Sequence, residues 1–245
     1  MNCGVRPLSR TILWRDPING QRTASVSHGC SPPLTVVNQP LLFDMTTPNT
    51  LNSEREVSFT PWIGPRYTDE GICGTKLLVL GESHYGEEES PPSSFTKDVV
   101  RSLVYDGRHA FFTMIAKLVV GRGAGNYIPQ SERQWVWDRI AFYNYVQSLA
   151  GTGPDGDVTD SMWEEAKRPF LDVVEVTGPD AILIVGKGLG KHVPSPGAEP
   201  SLEGIGSLDG IRRTTIEHVS SPGFTYDPWM ERVGRLIGGH PSPDS

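Results

Sequence analysis

The chain has 245 residues, a formal net charge of −7 and a pI near 5.4, which argues against the broad basic footprint that holds duplex DNA non-specifically. Its cysteines, Cys3, Cys30 and Cys73, are too scattered for a disulfide framework and too few for a four-thiolate metal or iron–sulfur site. No stretch reaches the roughly 20 apolar residues of a membrane span, so a soluble, cytoplasmic protein with one α/β domain, no metal and no cofactor is expected.

Residues 1–44 mix Pro, Gly, Ser, Thr and Asn without apolar periodicity and read as a poorly ordered extension, with Met45 as an alternative start. A single domain over 45–238 and a tail over 239–245 complete the chain. The run 76-KLLVL-80 is apolar on both faces, the mark of a buried strand in a parallel sheet. It ends abruptly at Gly81, before Glu82, Ser83, His84 and Tyr85. A Pro/Ser-rich loop, 90-SPPSSF-95, leads to 107-GRHAFFTMIAKLVVG-121, where Phe111, Phe112, Ile115, Leu118 and Val119 share one helical face. Ser131 with Gln134 has capping-box spacing and opens a short helix before a second strand near 139–144, which ends in Asn144. Another box, Ser161 with Glu164, opens a helix bearing Met162, Ala166, Phe170, Val173 and Val174 on its apolar face, with a kink or break predicted at Pro169. Gly178-Pro179 stops it, and 181-AILIVG-186 is the third strand. A Gly/Pro-rich loop over 194–210 precedes a polar, edge-like strand near 212–217. Asp227 as N-cap and Pro228 at the first position begin the last helix, with Trp229, Val233, Leu236 and Ile237 on one face. This alternation predicts an α/β three-layer sandwich around a four-stranded, mostly parallel sheet.

Parallel strands bring their C-terminal ends to one edge, where open α/β sheets bind ligands. Each strand here ends in polar groups: Glu82-Ser83-His84-Tyr85, then Asn144, then Gly186-Lys187-Gly188, then His218 with Ser220 and Ser221. Taken singly, each has a plain alternative: a satisfied core histidine, a turn-capping asparagine, a tight Gly-Lys-Gly turn that matches no P-loop, a core phenylalanine at Phe95. Their convergence on one edge is the argument for a site.

In order, these segments resemble the uracil-DNA glycosylase superfamily. Its first motif, GQDPYH in the best-known members and GEAPG or GINPG in others, comes directly after the first strand, as 81-GESHYG-86 does here with the glycine and Tyr85 kept. The family's stacking aromatic corresponds to Phe95, its asparagine-ended strand to 141-AFYN-144, and its HPS-like last motif to 218-HVSSPGF-224, with Val219 in place of proline. The resemblance spans roughly residues 76–237.

It implies a uracil-DNA-glycosylase-like fold and a monomer that hydrolyses the N-glycosidic bond of uracil or a modified pyrimidine flipped out of single- or double-stranded DNA, in repair or in defence against modified foreign DNA. By resemblance, Glu82, Ser83, His84 and His218 form the catalytic centre, and Gly81, Tyr85, Phe95 and Asn144 hold the base. Ser93, Ser94, Lys187, Ser220 and Ser221 grip the DNA backbone. The chemistry suits these residue types. Cleavage builds negative charge on the leaving base and positive charge on the sugar, so a donor such as His218 and an anion such as Glu82 both lower the barrier. Ser83 stands where the best-known members carry a water-activating aspartate, and it cannot act as a carboxylate base; other branches also lack that aspartate.

Two other readings compete. One is a non-catalytic binder of modified DNA. The other is a serine hydrolase using Ser83 and His218, against which Tyr85 occupies the position where a nucleophile elbow needs glycine.

Overall fold

The computed structural model describes residues 10–16, 20–26, 57–86, 90–151, 158–195 and 208–241, with side chains described from Val57 onward. The strands β1 (Arg10–Asp16) and β2 (Gly20–Val26) pair antiparallel from Arg10↔Val26 to Asp16↔Gly20, in a sheet of their own. Absent apolar periodicity predicts no regular structure over residues 1–44, so this strand pair is unexpected from the sequence.

The main sheet has five strands: β3 (Trp62–Ile63), β4 (Leu77–Gly81), β5 (Ile140–Asn144), β6 (Ala181–Val185) and β7 (Arg212–Ile216), in the order β3-β5-β4-β6-β7. The strands β5, β4, β6 and β7 pair in parallel, each within one residue of its expected bounds, and β7 is an edge as its polarity suggests. The expected count of four is corrected by β3, which pairs antiparallel with β5 and is too short, at two residues, to leave a periodic pattern.

Strand pleating sorts the side chains between two cores. Leu77, Val79, Phe142 and Leu183 face one, and Leu78, Leu80, Tyr143 and Ile184 face the other. The first core is closed by α1 (Phe95–Val100), α2 (Ala110–Val119), α3 (Gln130–Trp137) and α6 (Asp227–Ile237), and the second by α4 (Asp160–Glu165) and α5 (Lys167–Thr177). Helices on both faces of a central sheet make three layers.

Helix interiors match the sequence pattern; helix starts do not. All five expected apolar positions of α2 are buried. The capping boxes mislead, because α3 is capped by Pro129 and α4 by Thr159, each two residues before the expected serine, and α6 by Tyr226, one before Asp227. Thr159 takes the cap by accepting the Met162 N–H on its side-chain oxygen. The break near Pro169 is present: α4 and α5 part at Ala166, and Pro169 lies in the first turn of α5, where its missing N–H removes no helical bond. Unexpected from the sequence are α1 and the π-helical turn that continues it over Arg101–Asp106. Among the described residues no helix is long and apolar enough to cross a membrane.

Candidate active site

Because β5, β4, β6 and β7 are parallel, their C-terminal ends share one edge. The chain leaves β4 toward β5 on one side and β6 toward β7 on the other, so a crevice is expected where β4 and β6 end. A cleft of about 430 Å³ lies there, within the range of ligand sites. Glu82, Ser83, Tyr85, Asn144, Lys187, His218, Ser220 and Ser221 line it, together with Gly81.

The first motif is held open by an extension of the sheet. Beyond Gly81 the chain continues alongside the segment after β5: Gly81 and Glu82 carbonyls accept the Tyr145 and Val146 N–H groups at 2.9 Å, and the His84 carbonyl accepts that of Ala150 at 2.9 Å. An extended chain alternates its side chains. Ser83 and Tyr85 share the cleft with Glu82, which leaves the end of β4, and His84 between them turns into the core. There its ring packs edge-on against Phe59 and Phe95, at 5.4 and 4.9 Å between centroids, and its Nε2 meets the Thr96 hydroxyl at 2.8 Å. Burial drives its pKa down to about 3, so it is a neutral core residue. The expectation of a catalytic His84 is corrected accordingly.

Gly81 is required by its neighbour. A Cβ at Gly81 would stand 2.2 Å from Asn144 Oδ1 and 3.2 Å from the Phe142 ring, so only glycine leaves the amide of Asn144 room to lie across the end of β4. The register pairs the two residues directly. Asn144 is itself buried, and its backbone carbonyl accepts a 2.8 Å bond from Gln147 Nε2, which fixes the bend after β5. Phe142 and Phe111 add apolar walls to the cleft.

His218 packs its ring against Phe111, with centroids 5.8 Å apart. The Ser220 N–H donates to its Nδ1 at 3.3 Å, so Nδ1 carries a lone pair and the proton of the neutral ring is on Nε2. Burial lowers the His218 pKa, which favours the same neutral form. Burial also pushes the Glu82 carboxyl above its ordinary range, making it a stronger base than a solvated glutamate. Its Oε2 lies across the crevice, 3.9 Å from where a Cβ on Gly188 would stand. Lys187 at the rim is paired with Glu217 and lies over the Trp229 ring, so its charge is partly neutralised within the protein.

Three more expected site residues stand elsewhere. Phe95 is 6 % exposed, inside the first core against Phe59 and His84, and has no face open to a ligand. Ser94 donates to Asp98 at 2.7 Å, and the Ser93 carbonyl accepts both the backbone and hydroxyl bonds of Thr60. Both serines serve the loop before α1, and neither lines the cleft. Phe111, Phe142, His109 and Glu217 also line the cleft, unexpected from the sequence. Phe111 carried a signal: it stands at the start of α2, whose preceding residue, His109, also reaches the cleft. Compared with protein-family models and with curated proteins, the chain gives no match.

Proposed function

We propose that this protein is a DNA glycosylase that hydrolyses the N-glycosidic bond of a pyrimidine nucleotide extruded into the cleft, on a fold of the uracil-DNA glycosylase type. The observation that carries this reading is the Ser220 N–H on His218 Nδ1, which leaves a neutral imidazole with its Nε2–H as donor in the same cleft as Asn144 and Glu82. A neutral donor suits a leaving pyrimidine anion, because it stabilises charge that develops on a base oxygen without binding the uncharged ground state strongly.

The other groups take the remaining tasks. The Asn144 amide offers both a donor and an acceptor to the base edge. Phe111 and Phe142 supply the apolar surface against which an extruded base packs, a role the resemblance gave to Phe95. Glu82, desolvated at the end of β4, stabilises the positive sugar as the bond breaks and accepts a proton from the attacking water. Ser83 lines the cleft beside Tyr85, and Glu82 supplies a carboxylate where the aspartate is missing.

The hydrolase reading needs Ser83 on a sharp turn running straight into a helix. Here Ser83 continues an extended ladder, and the next described helix begins at Phe95. Incubation with DNA containing uracil or 5-substituted pyrimidines tests the proposal. Free base and an alkali-labile site are expected; retention of the DNA without release of base would mean a binder, and ester turnover would mean a hydrolase.

A further inference from the structure

The loop after α2 carries an exposed aromatic that the cleft does not use. Tyr127 is 67 % exposed, and the Arg108 guanidinium lies over its ring, 5.0 Å from the centroid. Arg108 immediately precedes His109, which lines the cleft, so the backbone that carries Arg108 adjoins the cleft. In the same loop a Cβ at Gly123 or Gly125 would meet nothing within 4 Å.

Four cations gather here in an otherwise acidic chain. Among the described residues, Arg122 is paired with Glu132, whereas the acceptors of Arg108, Lys117 and Arg133 are backbone carbonyls, those of Ile128, Gly123, Ala124, Val104 and Gly107. Three positive charges thus remain uncancelled by these contacts. Lys117 and Arg133 are buried, and their fields are screened less than those of solvated charges. The Lys117 pKa is lowered by burial first and then by Arg108 and Arg122, which places these cations within reach of one another's charge.

We propose that Tyr127 and Arg108 form a stacking platform for an unpaired base that flanks the nucleotide held in the cleft, with the local positive charge drawing in the phosphodiester strand. The inference rests on the glycosylase reading for the identity of the strand. An aromatic face accepts any base, and a guanidinium stacked on it holds the ring in place and offers its outer N–H groups to a phosphate. The preferred substrate is therefore single-stranded, or opened, on the side of the 121–127 loop.

The test measures both binding and base release with labelled uracil-containing oligonucleotides, single-stranded and duplex, for the wild type, Tyr127→Ala, Tyr127→Phe and Arg108→Ala. Tyr127→Ala is expected to weaken single-strand binding about 5- to 100-fold and duplex binding less, and Tyr127→Phe to stay near wild type. Arg108→Ala should lower the slope of log affinity against log salt by about 0.7. Wild-type single-strand affinity in Tyr127→Ala, or equal losses on both substrates, would overturn the platform even if base release is intact. Platform-dependent binding without base release by the wild type would uphold the platform and reject the glycosylase reading.

Discussion

Acid should unfold this protein earlier than its carboxylates alone require, because of His84. Its pKa of about 3 in the folded chain lies below its ordinary value of 6.5, so between those two values the unfolded chain binds a proton that the folded chain refuses. Stability is therefore fully present above pH 6.5 and falls as the pH drops toward 3. One pKa unit corresponds to about 1.4 kcal/mol, so the loss reaches about 2 kcal/mol by pH 5. That is a large share of a stability of about 5–15 kcal/mol. The comparison protein is His84→Gln, whose amide can still reach the Thr96 hydroxyl but does not titrate. Urea midpoints at pH 7.5, 6, 5 and 4 give the difference, and the lowered His218 is common to both proteins and cancels. The wild type is expected to lose about 2 kcal/mol more than His84→Gln between pH 7.5 and pH 5. Parallel pH profiles would refute the burial of an uncharged His84. Single-turnover base release by His84→Gln near the wild-type rate is expected as well, since the ring faces away from the cleft.

Gly81→Ala sets a methyl group 2.2 Å from Asn144 Oδ1, so the amide must leave its place. The expected cost is about 1–3 kcal/mol in stability, with a rise in KM for base release; an unchanged KM would detach Asn144 from base binding. Glu82→Gln should abolish the acidic limb of the kcat/KM profile, a limb that burial sets above the ordinary carboxylate pKa of 4.5 in the wild type. A limb that persists in Glu82→Gln assigns the base to another group. Tyr85→Ala should admit thymine by removing bulk beside the base, and identical base preference in the two proteins would mean that Tyr85 does not select.

The strands were legible because they are buried on both faces. Runs such as Leu77–Leu80 and Ala181–Val185 have no polar side chain to hide, and a parallel sheet is the setting that asks for this. Once the strands are parallel, Glu82, Asn144 and His218 must meet at one edge, and they do. The segment beyond Gly81 was less legible. Whether His84 or its neighbours face the cleft depends on the ladder to residues 145–150, a pairing that the motif itself does not encode. The same limit explains Phe95 and Phe111. Both open helices after a loop, and counting residues from the motif cannot tell which helix start overlooks the cleft and which one drives its ring into the core. The strand β3 left no pattern at two residues, and the pair β1–β2 lies where apolar periodicity gives no signal.

In the proposed reaction His218 gives a hydrogen bond from Nε2 to the leaving base, with Ser220 holding the ring in the required tautomer. The most direct measurement compares single-turnover base release by the wild type and His218→Ala on the same uracil-containing oligonucleotide, with affinity measured alongside. Loss of one preorganised donor is expected to slow release about 10²–10³-fold while affinity changes by far less. Wild-type rates of release from His218→Ala would contradict the account.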